Sequence, residues 1–569
     1  LVELFTFGKG VITQRSPLLL EDGELVSSSG FSYETDGVLE TRKPKRKVNS
    51  TAVTSIHTIR RYMNHIILGD TNNVRHKWDL DGFCNLYIPP TGENFDLLGT
   101  LISTDRWKVA EHREFSLITN EHDKKAIANG LLYDWGVDNP TEAPIGTAGA
   151  AGNPNDTYSL YYTFVVKFPN GRVYETGPSP AGSVTVSSEQ ILWSNIKTCP
   201  YSGSGLVIHR KLYRYSTTLA EKYLVATISD NTTTTYTDNV TDATLLLGTI
   251  LSTTTYQPPP DNIVDAVDYL NRVFVIAKNY LYWSEVGIPF AFPAANSILI
   301  SREGEDLVAL VSWGDQLYIA EEKAWHRLQG SDATTWAIRG TFAGEGVINK
   351  HTLKATKYGI VGLWYDGIYI FDGTVSKNIT KDILKDSFFS DMGTKSACFA
   401  EFDGRRYYFV YPTSGTTLDK CLIIDFIDYP ALKLYHRDFV PTAYQYHKPT
   451  GIEYMGKSDG YQYEDGTSET ISVSLKTGDR VMKDITHQKE TDYLYYDIDT
   501  NGKDVVLTFY ADGTAQTPAI ILNESTRKRA RKQLPKWQGY RFALGLSCAD
   551  AQNLKIYDPW EVGFTPYGD

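Results

Sequence analysis

The stretch Asp265–Trp283, DAVDYLNRVFVIAKNYLYW, decides the fold. It reads as three short strands: an alternating segment ending on Tyr269, a turn at Asn271, a β-branched and aromatic run, a second turn at Asn279, and a third strand closing on Trp283. The same grammar returns in Ala309–Leu328 (ALVSWGDQLYIAEEKAWHRL), Lys354–Gly373 (KATKYGIVGLWYDGIYIFDG), Cys398–Tyr411 (CFAEFDGRRYYFVY) and Thr442–Gly466 (TAYQYHKPTGIEYMGKSDGYQYEDG). Aligned on the aromatic before the first turn, the anchors are Tyr269, Trp313, Tyr358, Phe402 and Tyr446, spaced 44, 45, 44 and 44 residues apart. Four strands of five or six residues with their turns need about 40–45 residues, the length of one propeller blade. A solenoid coil is shorter, and a sandwich does not keep period. Upstream, Tyr62 within Thr58–Asp70 and the segment Glu111–Ala128 read as two earlier, less regular blades. The expectation is an all-β chain with a β-propeller of six or seven blades.

Three other regions interrupt or flank the repeat. Residues 139–258 begin in a Pro/Gly/Ala stretch (Asn139–Asp156) and end at the Pro258–Pro260 linker, and such breaker clusters bound a domain. The segments Tyr158–Phe168, Ile191–Ile196, Leu206–Ser216 and Lys222–Asp230 inside it alternate as short strands without paired cysteines. They point to an inserted, independently folding sandwich of the fibronectin type III kind, with Trp193 and Tyr213 as inner aromatics. Beyond residue 466 the rhythm stops, and 467–569 reads as a C-terminal β-domain with tight turns at Asn501–Gly502 and Asp512–Gly513. Residues 1–50 read as an extended arm too thin to fold alone, expected to pack on a neighbour or partner. The expected boundaries are therefore 1–50, 51–138, 139–258, 259–466 and 467–569.

Composition narrows the function classes. Its 38 Tyr, 23 Phe, 11 Trp and 45 Gly make a strand-and-turn composition. With 56 basic and 68 acidic residues the net charge is −12, against a protein that grips nucleic acid with its whole surface. Two basic runs depart from that balance: Arg42, Lys43, Lys45, Arg46 and Lys47, and Arg527, Lys528, Arg529, Arg531 and Lys532. They are the candidate assembly or DNA-proximal patch, set against the plainer reading of solvated loops or strand ends. The five cysteines, at 84, 199, 398, 421 and 548, include no CxxC pair, which favours free thiols over zinc or disulfide chemistry. Leu1–Gly10 has no basic segment followed by a long apolar run, and no apolar stretch is long enough for a membrane span. No export signal and no membrane segment are expected.

Catalytic signatures are weak. Gly451–Ser458 (GIEYMGKS) formally matches the phosphate-binding GxxxxGK[ST], and Gly456–Gly460 (GKSDG) matches GxSxG. Both chemistries require a helix opening after the motif, whereas here a strand, a turn and another strand are expected. Asp366, Asp372, Asp403, Asp459 and Asp465 all adjoin Gly in turns, where the side chain bonds its own backbone. Trp283, Tyr318, Trp325 and Trp364 could stack on sugars, but their alternating positions fit a packed core. The reading is of a protein that is not an enzyme and needs no cofactor or metal.

One resemblance joins these parts. Gly10, Pro17, the D-G-x-L run Asp22–Leu25, the G-F-S-x-E run Gly30–Glu34, Gly37–Leu39 and the basic step Arg42–Pro44 resemble the opening of the tail nozzle and hub proteins of short-tailed bacteriophages. The Tyr365–Gly373 blade and the ending with Tyr540–Ser547 are similar to their packaged-DNA stabilisation hubs. The resemblance implies a structural virion protein, assembled in the host cytoplasm. It implies a homo-oligomeric ring, commonly a hexamer, below the portal and adaptor and among other tail proteins. Its lumen would pass double-stranded DNA without sequence-specific binding. A net acidic wall suits such passage, because each cation on phosphate adds a counterion-release term to the grip. The alternative is a carbohydrate-binding or receptor-binding propeller, or a glycosidase.

Overall fold

The computed structural model of the chain describes residues 1–567 apart from 36, 63–64, 79–93, 302–304, 342, 468 and 483–484. Cys84 lies outside the described residues. The architecture is all-β and propeller-like, with only short helical turns between strands.

Seven runs of four antiparallel strands follow one another among the described residues: six are separate sheets, and the other, sheet VI, is part of a larger one. Sheet I spans residues 56–100, sheet II 108–134, sheet III 265–299, sheet IV 309–340, sheet V 354–378 and sheet VI 399–437. Sheet VII takes three strands from 443–465 and its fourth, Lys45–Lys47, from the start of the chain. The first strands are Ile56–Tyr62, Lys108–His112, Asp265–Tyr269, Ala309–Trp313, Lys354–Ala355, Phe399–Phe402 and Ala443–His447. From sheet II onward each lies beside the first strand of the next sheet, and the first strand of sheet VII lies against that of sheet I. Sheets I and II meet where the Trp107 backbone N–H donates to the Thr58 hydroxyl at 3.2 Å, so the first strands surround a common axis.

The anchors occupy matching places. Tyr269, Trp313 and Phe402 end their first strands, Tyr446 stands one residue from the end, and Tyr358 sits in the turn after Lys354–Ala355. Between sheets the space is filled by apolar side chains. Trp325 stacks on Phe371 with ring centroids 4.5 Å apart, joining sheets IV and V, and Phe274, Trp283 and Trp336 cluster between III and IV.

Between sheets II and III the chain forms a three-stranded sheet (Ile145–Ala151, Glu189–Ser194, Tyr236–Asp238) facing a five-stranded one built on the long strand Thr157–Lys167. Trp193 is buried in their shared core. Tyr213 is buried too, but on the opposite face from Leu212, where its hydroxyl donates to Glu175 at 2.6 Å. Strand alternation puts it there, so it is not an inner aromatic. The core does not stop at the borders of this segment: Phe168 packs against Phe115 and Tyr133 of sheet II and against Phe290, in the connection between the third and fourth strands of sheet III.

The ends of the chain depart most from expectation. Val2–Phe5 pairs with Trp560–Pro566, Glu24–Ser29 with Val473–Thr477, and Val38–Thr41 with Lys555–Tyr557. Residues 1–50 are therefore no arm awaiting a neighbour; their backbone groups find ladder partners in the same chain. Phe5, Phe7, Leu25, Phe31 and Leu39 share one core with Leu494, Phe509, Phe542, Trp560 and Val562. Ser29 also pairs with His436, so one strand run continues from sheet VI into this terminal sandwich. Asp512–Gly513 turns a hairpin, with φ of 50° and 83°. Asn501–Gly502 has the same left-handed backbone but joins strands of two different sheets rather than neighbours.

Candidate functional site

The two basic runs lie in different sheets. The first is largely internal. Arg42 is 8% exposed and forks between Asp438 (2.6 Å) and Glu469 (2.7 Å). Lys45 is buried, with its ammonium on Glu453 at 2.7 Å and Asp465 at 2.5 Å. Against the upward push of burial, Arg437 and Lys45 hold Glu453 well below the usual carboxylate range. These two cations fasten the closing strand of sheet VII and are withdrawn from any patch. Lys43, Arg46 and Lys47 are exposed, with carboxylates 3.6–3.9 Å away at Asp465, Glu464 and Asp459. The second run is an exposed strand, Lys528–Gln533, paired on Lys489–Asp499. Arg527 and Arg529 both reach Asp497, Lys528 reaches Glu524, Arg531 lies over the Tyr493 ring, and Lys532 donates to the Ile521 carbonyl. Of the ten candidates, then, eight remain at the surface in two separate groups.

The residues weighed for catalysis have other duties. Asp372 accepts from the Thr374 and Val375 backbone N–H groups, Asp403 from those of Arg405 and Arg406, and Asp459 from that of Tyr461. Asp366 accepts from the Tyr369 hydroxyl. GIEYMGKSDG is a strand, Ile452–Gly456, then a turn and the strand Gln462–Asp465. No helix follows to supply amides to a phosphate or oxyanion. Trp283, Tyr318 and Trp325 are buried, and the Trp364 indole donates to the Glu322 carbonyl at 2.9 Å. Cys199, Cys398, Cys421 and Cys548 are buried thiols, and burial pushes Cys398 and Cys421 up to about 12, away from nucleophilic use. Among the described residues no group of three His, Cys, Asp or Glu is placed to hold a metal, and no helix is long and apolar enough to cross a membrane.

A cluster that sequence reading missed stands at the axis. Arg60 of sheet I, Arg106 and Lys108 entering sheet II, and Lys350 and Lys354 entering sheet V line one narrow cavity of about 30 Å³. Lys354 reaches Glu401 at 2.7 Å, and Arg60 approaches the same carboxylate at 3.9 Å. Lys108 pairs with Asp265 at 3.1 Å and Lys350 with Glu121 at 2.5 Å. Arg106 instead donates to the backbone carbonyls of His57 and Thr442 and lies 4.1 Å from the Phe399 ring centroid. Burial, with Glu401 opposing and Arg60 and Lys108 assisting, lowers Lys354 to about 8, and burial with Arg60 nearby lowers Arg106 to about 9. Burial and the surrounding Arg106, Lys108, Lys350 and Lys354 hold the His351 imidazole neutral. A faint signal was present in the repeat. Four residues ahead of the anchors Tyr269 and Tyr358 stand Asp265 and Lys354, and Lys108 opens the first strand of sheet II.

No protein-family model and no curated protein matches the chain. Among solved structures, the WD40 domain of Neurospora crassa Pan2 aligns over 75% of this chain and 97% of its own length, at 6% identity and a TM-score of 0.26.

Proposed function

We propose that the chain is a non-enzymatic structural protein of a short-tailed phage virion, a nozzle or hub subunit of the conduit below the portal and adaptor. In this reading it is a seven-bladed propeller. A fibronectin-like module is inserted between the second and third blades, and a sandwich is woven from both chain ends. The observation that carries the reading is where the tail-like opening residues fall. Gly30, at φ +78°, follows the strand Glu24–Ser29 that pairs with sheet VI, and a side chain there would meet the Ser472 carbonyl at 2.5 Å. Gly37 turns the hairpin between Phe31–Thr35 and Val38–Thr41, and Arg42 bolts that hairpin to Asp438 and Glu469. The resembling residues thus lie at the seam between propeller and sandwich, which supports the reading of a rigid ring subunit.

The eight surface cations of the two runs suit contacts with neighbouring rings better than a continuous grip on DNA, because most already have carboxylates nearby. Light scattering after size exclusion, with negative-stain imaging, tests the proposal. A closed ring of about six protomers of 63.9 kDa, alone or on portal–adaptor complexes, is expected. A chain that stays monomeric at micromolar concentration and ignores those complexes would overturn it.

A further inference from the structure

We propose that the narrow axial cavity binds a small tetrahedral oxyanion of the phosphate class. The inference does not depend on the tail reading. Five cations, Arg60, Arg106, Lys108, Lys350 and Lys354, converge there from three sheets. The carboxylates bridged to them among the described residues are Glu401, Asp265 and Glu121, and Glu401 is shared between Arg60 and Lys354. Arg106, with two carbonyl partners and an aromatic face, has no carboxylate. Glu111, raised by burial to about 7 with Arg60 opposing, is the further carboxylate coupled to the cluster, so five cations face four carboxylates. Like charges in a partly dry site repel, and an anion would neutralise the excess. An oxyanion with several acceptor oxygens can take charge-assisted hydrogen bonds from several of these donors at once, which monatomic chloride cannot do in the same geometry.

Trp107 closes the outer wall of the cavity, its ring packed in the apolar core between sheets I and II with Ile67, Val74, Leu101, Ile118 and Ile127. Access and room come from an adjoining cavity of about 430 Å³ that shares Arg106, Lys350 and His351. The narrow end exceeds the 10–15 Å³ that one water requires, and the wide end can accept whatever the oxyanion is attached to. Burial first, and Arg60 after it, lower the proton affinity of Lys354 and Arg106, with Glu401 opposing the shift at Lys354.

Isothermal titration of the full chain with inorganic phosphate, against sodium chloride at matched ionic strength, tests the proposal. One phosphate per chain is expected, with a melting temperature that rises with phosphate and not with chloride. Lys354→Met should weaken phosphate binding at least ten-fold and remove the phosphate-dependent shift. Lys350→Gln serves the same purpose if the first variant does not fold. A phosphate monoester that binds more tightly than free phosphate would identify a small-molecule headgroup as the ligand, and equal binding would assign the free ion. Equal stabilisation by chloride, or a phosphate response unchanged in both variants, would overturn the site.

Discussion

Arg42 and Lys43 are neighbours in one basic run, yet burial separates their roles. Arg42 is enclosed with Asp438 and Glu469, whereas Lys43 is 80% exposed beside Asp465 at 3.7 Å. Removing one partner of an enclosed ion cluster leaves uncompensated charge and costs about 3–5 kcal/mol, while an exposed pair contributes under about 1 kcal/mol. Denaturant unfolding should therefore show Arg42→Ala strongly destabilised and Lys43→Ala close to the parent. At the axis the signature is a pH dependence. Lys354 faces Arg60 of sheet I, Lys108 of sheet II, His351 and Lys350 on its own approach, and Glu401 of sheet VI. Its folded value of about 8 lies below the roughly 10.4 of an unfolded lysine. Between those values the unfolded chain binds more protons, so this group makes stability rise with pH from about 8 to 10. The difference between parent and Lys354→Met, measured across that range, should show this slope; parallel curves would remove Lys354 from the cluster's electrostatics.

At the scale of elements, the Gly456–Gly460 segment shows why a motif match misleads. Its glycines are required by closure of sheet VII on sheet I. A Cβ at Gly456 would meet the Ile56 side chain at 2.5 Å, and one at Gly460, φ +78°, would meet the Val53 carbonyl oxygen at 1.8 Å. Gly460→Ala should cost at least about 2 kcal/mol through left-handed backbone and this clash, whereas Ser458→Ala, at an exposed turn position, should change little. Thermal unfolding of the pair distinguishes a structural turn from a nucleophile site, which would tolerate neither change in function. Within the insert, Arg214 of the five-stranded sheet meets Asp238 of the three-stranded one at 2.7 Å, both fully buried, and also reaches Asp242 at 2.8 Å. Asp238→Ala should lose about 3–5 kcal/mol by stranding Arg214, and the double change with Arg214→Met should recover much of it. A double-mutant cycle on the unfolding of the full chain measures the coupling.

For the whole molecule, the two chain ends act as a clasp. Lys45–Lys47 completes sheet VII, and Val2–Phe5, Glu24–Ser29 and Val38–Thr41 complete the terminal sandwich. Deleting residues 1–48 would expose the edges of Gln462–Asp465, Val473–Thr477 and Trp560–Pro566 together with the apolar core they cover. The truncated chain should lose cooperative unfolding and aggregate, and circular dichroism beside light scattering checks it. A deletion that leaves a stable monomer with intact melting would show that the clasp is dispensable. Ring assembly must then use surfaces other than this segment, the exposed strand Lys528–Gln533 being one such surface.

The sequence by itself determined the repeat. Tyr269, Trp313, Tyr358, Phe402 and Tyr446 recur because each blade must turn at the same point, and local turn and strand chemistry within about 44 residues writes that requirement openly. The same local chemistry marked Trp193 as core, Asp512–Gly513 as a hairpin and GKSDG as a turn. Only the tertiary structure decided what residues 1–50 do, because Val2–Phe5, Glu24–Ser29 and Lys45–Lys47 each pair with strands more than 400 residues away, and pairing over that separation leaves no periodic trace. It also divided the basic runs: Arg42 and Lys45 sit in the same string as Lys43 and Lys47, and enclosure by Asp438, Glu453 and Glu469 alone sets them apart. The axial cluster escaped for the same reason. Arg60, Arg106, Lys108, Lys350 and Lys354 are scattered over almost 300 residues, and closing the ring of sheets, rather than any spacing along the chain, brings their charges together.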